Sequence, residues 1–200
     1  IEFSAPHAAV GHIKECFNAR IPVVCGTTGW LEEFESVSKL CAEQHGTLLY
    51  ASNFSIGVQL FFYLNERLAS LMKDHPSYRP SIEEIHHIHK LDAPSGTAIA
   101  MGEVVAAATG RNLADVAVYG REGHTGKRDR ETIGFSTVRA GDIVGDHTVT
   151  FAAQGERLEI THKASSRMAF ARGAIRAAVW LINQKPGVYD MQDVLGLKEN

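Results

Sequence analysis

Within the first 55 residues the apolar pattern changes period repeatedly, and this alternation limits the possible folds more than any other feature of the chain. Ile1-Glu2-Phe3-Ser4 reads as a short strand. From His7 to Arg20, Val10, Ile13, Cys16 and Phe17 recur at helical spacing. Ile21-Pro22-Val23-Val24-Cys25 is an apolar run of the kind found in a strand buried on both faces, and it stops at Gly26-Thr27-Thr28-Gly29. A second helix fits Leu31 to Gln44, with Phe34, Val37, Leu40 and Cys41 on one side. A further strand fits Thr47 to Ala51 and ends in Ser52-Asn53-Phe54-Ser55. Strand, helix, strand, helix, strand predicts half of a doubly wound parallel sheet.

Ligands of such sheets bind beyond the carboxyl ends of the strands. Those ends are Gly26, Thr27 and Thr28, and Ala51, Ser52, Asn53 and Phe54. Glycine lets backbone approach a ligand, while Thr and Asn supply hydrogen bonds. Ordinary loop chemistry accounts for the same residues equally well.

The rest of the chain has a different rhythm. Gly57 to Lys73 has helical spacing, a strand fits Ile82 to Ile88, and a helix fits about Thr97 to Thr109. Val116 to Tyr119 is a short strand, followed by the polar, glycine-broken Arg121 to Arg130, which reads as a solvated loop. Thr132 to Val138, Asp146 to Ala152 and Arg157 to His162 alternate, the last two joined by a Gln154-Gly155-Glu156 turn. Together they predict a mixed sheet with helices on one face. Val138, Ile143, Val149 and Ile160 are then expected on the other face, where they would promote self-association. A final helix fits Arg167 to Asn183, and Tyr189 to Leu197 reads as a tail. His162, Lys163 and Arg167 read as surface charge and helix entry. The predicted class is α/β. Residues 1–55, rejoined by 168–200, form the second half of a dinucleotide-binding domain, and 56–167 form an α+β substrate-binding and oligomerisation domain.

The chemistry concentrates between Glu83 and Ala98. On a strand, Ile82, Glu84, His86 and Ile88 share one face, and Lys90 has the same parity if the strand continues. Imidazole titrates near neutrality and so exchanges protons at working pH. An ammonium holds anions and has protons to give. Pro94 pushes Ala93 extended, and Ser95 or Thr97 then caps a new helix. The free amides of Gly96 and Thr97 make that helix start a carboxylate or phosphate cradle. His86, Lys90 and this cradle point to a small acid with one or two carboxylates. His86, His87 and His89 also admit a zinc reading, which strand alternation weakens by placing neighbours on opposite faces.

The run Glu84-x-His86-x-x-x-Lys90-x-Asp92-x-Pro94-Ser95-Gly96-Thr97-Ala98 resembles the signature of the dihydrodipicolinate reductase (4-hydroxy-tetrahydrodipicolinate reductase) family of lysine and diaminopimelate biosynthesis. Ser81 departs from it, since an acid is usual ahead of Ile82. Gly26-Thr27-Thr28 and Ala51-Ser52-Asn53-Phe54 are similar to that family's two cofactor-contact segments, with Ser52 where alanine or proline is common. The resemblance covers nearly the whole chain. It implies an oxidoreductase that reduces a cyclic dicarboxylate imine with NADH or NADPH. It implies His86 as proton donor or relay, Lys90 as its assistant, and His87, Gly96 and Thr97 as substrate contacts. It also implies a cytoplasmic homotetramer. The family's glycine-rich pyrophosphate loop would precede Ile1, so an N-terminal portion is expected beyond this sequence. Without that loop, the alternative is a non-catalytic dicarboxylate-binding module that oligomerises.

Composition sets the remaining bounds. Of 200 residues, 44% are hydrophobic and 22% charged, which suits a globular chain with a real core. A formal charge of −3 gives no reason to expect nucleic acid or an anionic membrane as partner. Cys16, Cys25 and Cys41 are odd in number and form no CxxC pair, as expected of buried thiols in a reducing compartment.

Overall fold

A computed structural model describes residues 1–198. In chain order the elements are α1 (Pro6–Asn18), β1 (Val23–Cys25), α2 (Phe34–Glu43), β2 (Thr47–Tyr50), α3 (Ile56–Met72), β3 (Arg79–His86), α4 (Gly96–Ala108) and α5 (Leu113–Val116). Then follow β4 (Ala117–Tyr119), β5 (Ile133–Arg139), β6 (Gly145–Ala152), β7 (Arg157–Ala164), α6 (Met168–Leu181), β8 (Gly187–Tyr189) and α7 (Met191–Leu195). The fold is α/β, with one parallel and one mixed sheet. It divides into two compact units: Ile1–Gln59 with the segment returning from Met168, and Leu60–Arg167.

The first unit contains a parallel sheet in the order β1-β2-β8. Val23 and Cys25 pack with Ile13, Phe17, Val37 and Cys41 of α1 and α2. Val24 and Leu49 face the other way, onto Ala174, Ala177 and Leu181 of α6. Two covered faces are the reason the strand sequence is apolar throughout rather than alternating. The expected strand at Ile1 to Ser4 is a single bridge from Glu2 to Cys25, because Pro6 already opens α1. The expected tail supplies β8 as a third strand. It also supplies α7, capped by reciprocal bonds between Asp190 and Asp193.

The second unit is built on the sheet β4-β5-β3-β6-β7, with β4, β5 and β3 parallel and β6 and β7 antiparallel. Phe61, Ala69 and Met72 of α3 and Ala98, Met101 and Val105 of α4 pack on Ile82, Ile133, Phe135, Val149 and Phe151. The placement of Val149 and Ile160 on the open face is therefore corrected. Register aligns Ile82 with Val149 and Val149 with Ile160, so both share the core face of Ile82. A one-residue change of phase moves every side chain to the other face, and sequence alternation alone does not give that phase. The opposite face carries Ser81, Glu83, Thr148, Thr150, Thr161 and Lys163, with Thr148 and Thr161 hydroxyls 3.0 Å apart, and also Ile85 and the exposed Val138, which lies there as expected. Among the described residues, no helix is long and apolar enough to cross a membrane.

Candidate active site

Strand β3 alternates in burial, with Pro80, Ile82, Glu84 and His86 inside. It ends at His86, two residues before the predicted limit at Ile88. The chain then turns, with the Lys90 amide donating to His87 O at 3.2 Å and the Ile88 amide to Gly141 O at 3.1 Å. Strand parity therefore does not place Lys90; the turn does. The Lys90 ammonium donates to both carboxylate oxygens of Asp92, at 2.6 and 2.8 Å, and holds Asp92 below the usual carboxylate range.

Helix α4 begins at Gly96 because the Ser95 hydroxyl caps it, accepting the Ala98 amide at 3.2 Å. The amides of Gly96 and Thr97 have no partner among the described residues, and a Cβ built on Gly96 would meet nothing within 4 Å. An open helix start with two free amides is the geometry expected of an anion cradle.

Glu84 joins strand and helix. Its Oε2 accepts the Ser95 amide at 2.9 Å and its Oε1 the Arg139 guanidinium at 3.0 Å. Burial alone would raise this carboxyl, but Ser95 and Arg139 hold it below its ordinary value. His147, paired with Glu84 across β3 and β6, is 5% exposed. Its Nε2 lies 3.2 Å from Nε2 of His86 and 3.1 Å from Oγ of Ser95. His86 Nδ1 faces Val144 O at 3.2 Å, and a Cβ on Gly145 would come within 2.7 Å of the His86 ring. Only glycine therefore lets the β6 backbone lie against that imidazole. Burial pushes both imidazoles below their ordinary proton affinity. The charges of Lys90 and Arg139 deepen the effect at His86. His147, with His86 beside it, falls to about 4.

The structure thus brings His86 together with Glu84, Ser95, Arg139 and His147, and the charge of Lys90 is felt by both buried imidazoles. His87 leaves the strand with its Nδ1 buried and unpartnered, and its ring is 6.2 Å from that of His89. The zinc triad of His86, His87 and His89 is not assembled. The donor atoms that cluster instead, on Glu84, His86 and His147, are bonded to one another or to Ser95, Arg139 and Val144. Sequence reasoning missed His147 and Arg139. Alternation along β6 groups His147 with Val149, but only the pairing with β3 shows that this set faces the core.

The predicted cofactor residues lie in the first unit. The Ala51 amide bonds Cys25 O at 3.2 Å, so the loops after β1 and β2 begin side by side. Thr28 and Ser52 are exposed. Thr27 Oγ1 is shut from solvent and makes no hydrogen bond of ordinary geometry. Asn53 Oδ1 accepts the Ser55 amide at 2.9 Å, and its carbonyl accepts Gln59 at 2.6 Å, which stiffens this loop. Phe54 is buried, edge-on to Phe3.

Comparison with known proteins decides the family. Residues 1–54 match the model for "Dihydrodipicolinate reductase, N-terminus", and residues 57–195 match "Dihydrodipicolinate reductase, C-terminus". The chain belongs to the dihydrodipicolinate reductase family. It is 57% identical over 198 residues to the 4-hydroxy-tetrahydrodipicolinate reductase of Methylococcus capsulatus, covering 99% of this chain and 72% of that protein. The enzyme of the same name from Neisseria meningitidis serogroup A is 55% identical over 197 residues, 98% of this chain and 72% of that protein. Among solved structures, a dipicolinate-bound dihydrodipicolinate reductase from Paenisporosarcina sp. TG-14 superposes with a TM-score of 0.71. The match is at 23% identity over 94% of this chain and 69% of that one, a likeness of fold. Membership makes this reductase an oxidoreductase, and the non-catalytic module is not favoured.

Proposed function

We propose that the chain reduces 4-hydroxy-tetrahydrodipicolinate to tetrahydrodipicolinate with a nicotinamide cofactor, as a step of lysine and diaminopimelate biosynthesis. The observation that carries this is the assembly in one unit of His86, the Lys90 ammonium and the unpartnered amides of Gly96 and Thr97, within a chain that matches both halves of the family. The residues after β1 and β2 suit the cofactor. The exposed Thr28 and Ser52 side chains lie just past the carboxyl ends of two adjacent parallel strands, and the Thr27 hydroxyl beside them is turned inward toward Glu2. Gly26, Thr27, Thr28, Ala51, Ser52, Asn53 and Phe54 would hold it, and when bound it supplies the hydride.

The chain's own groups do the rest. The amides of Gly96 and Thr97, the Thr97 hydroxyl and His87 bind the substrate's carboxylates. Lys90 balances their charge and offers a proton to the reduced ring. Both ring nitrogens of His86 face partners inside the protein, Val144 O and His147, so of the donor and relay roles the relay suits it better, and its coupling to Lys90 is electrostatic.

The finer readings belong to the same proposal. The cofactor is NADH or NADPH. The molecule is a homotetramer, supported by the uncovered hydroxyl-rich face of the five-stranded sheet. It works in the cytoplasm, supported by three free cysteines. The test is oxidation of NADH and NADPH with freshly generated substrate. Substrate-dependent turnover is expected, and no turnover by the protein overturns the reading. Light scattering checks the tetramer.

A further inference from the structure

We propose that His147 is a positioning residue for His86: its Nε2–H donates to the bare Nε2 of His86 and so fixes which nitrogen of that imidazole carries its hydrogen. The proposal rests on the reading above, in which His86 takes part in proton transfer.

Val144 decides the direction of the bond. A carbonyl oxygen only accepts, so His86 Nδ1, 3.2 Å from Val144 O, carries a hydrogen. A neutral imidazole has one N–H, which leaves Nε2 of His86 as an acceptor. The atom facing it at 3.2 Å is Nε2 of His147, which must therefore donate. Ser95 Oγ, 3.1 Å from the same nitrogen, already accepts the Ala98 amide and has a second lone pair for it. The one Nε2–H of His147 is thus shared between His86 Nε2 and Ser95 Oγ, and on the His86 side the bonds continue through Nδ1–H to Val144 O.

The opposite charge state does not fit this chain. Protonated His86 has hydrogens on both nitrogens, and two N–H groups would then point at each other. Relief requires His147 to lose its Nε2 hydrogen and bind one at Nδ1. Its Nε2 would then accept from His86, while the Ser95 hydroxyl keeps Glu84 as its acceptor. Charging His86 is thereby coupled to a tautomer change in His147. Groups facing the pair are Glu84 on β3, His87 and Lys90 in the turn, Arg139 on β5 and His162 on β7. Glu84 favours a cation on either ring. Lys90 opposes it at both, Arg139 at His86 and His162 at His147. Burial acts in the same sense as these cations and is the largest influence on each ring.

Histidine-selective ¹⁵N NMR tests the inference. In the wild-type protein His86 is expected as the Nδ1–H tautomer and His147 as Nε2–H, with His86 titrating below its ordinary 6.5. His147→Phe removes the donor and should raise the His86 midpoint by about half to one pH unit, the effect of one hydrogen bond to the neutral form. His147→Gln keeps an amide donor and should leave the midpoint near wild type, which a merely structural role would not distinguish. An Nε2–H tautomer of His86 in wild type overturns the proposal whether or not the variants fold, and so does an unmoved midpoint in His147→Phe. The pH dependence of kcat/KM separates the two readings. If the NMR midpoint moves and the kinetic profile does not, the positioning relation stands and the role of His86 in proton transfer fails.

Discussion

The Ser95 amide donates to Glu84 Oε2 at 2.9 Å, and this one bond ties the start of helix α4 to strand β3. It sets the phase between the anion-binding amides and the buried imidazoles. Glu84 is 1% exposed, and Arg139 is the cation bonded to it. Arg139→Ala leaves that carboxylate uncompensated in the interior. A loss of about 3–5 kcal/mol is expected from breaking a buried pair on one side. Urea denaturation measures it. Arg139→Lys should restore part of the loss, because it returns the charge without the planar fork.

His86→Gln and Lys90→Ala should each lower kcat by orders of magnitude while the affinity for NADH or NADPH survives, since neither residue lies in the first unit. Thr97→Val should weaken 2,6-pyridinedicarboxylate, a planar dicarboxylate, more than it weakens the cofactor. Steady-state kinetics with that compound as competitive inhibitor checks both. Unchanged turnover in both His86→Gln and Lys90→Ala removes those residues from the mechanism.

Much of the fold could be read from periodicity alone. Apolar strands that pack on both faces, such as Val23 to Cys25, show as short unbroken runs of β-branched residues bounded by glycine and proline, and helix starts such as Ser95 show their caps. Two kinds of information were out of reach. Strand phase was one: Val149 and Ile160 look alike on either face until pairing with Ile82 fixes them. Long-range convergence was the other. His147 lies 61 residues from His86 in the chain and Arg139 lies 55 from Glu84, so no local spacing advertises either contact. Near the motif the limit was the strand end. Parity reaches only to His86, and a turn that no alternation predicts carries Lys90 onward.

Gly173 on α6 bears on the predicted cofactor loop. A Cβ there would lie 1.7 Å from the Phe54 carbonyl oxygen, so helix and loop approach more closely than any side chain allows. Gly173→Ala must push the Ala51 to Phe54 segment away. A loss of about 1–3 kcal/mol is expected from overpacking. KM for the nicotinamide cofactor should rise more than KM for substrate. Thermal unfolding and two-substrate kinetics measure the two effects, and an unchanged cofactor KM would separate this loop from cofactor binding.

Acid should destabilise the second unit in a window set by His147. Its folded pKa is about 4 against an ordinary 6.5, so between those values the unfolded chain binds a proton that the folded chain refuses. Stability is then complete above about pH 6.5 and falls as pH drops toward 4, by about 3 kcal/mol if the whole shift is expressed. His86, also depressed, adds loss of the same sign. Glu84 contributes lower down, where protonation dissolves its bonds to Ser95 and Arg139. His147→Phe has no proton to refuse, so its stability should be lower at neutral pH but flatter between pH 6.5 and 4. Chemical denaturation at a series of pH values reads this directly. A wild-type curve as flat as that of His147→Phe would mean that His147 is not held neutral by its surroundings.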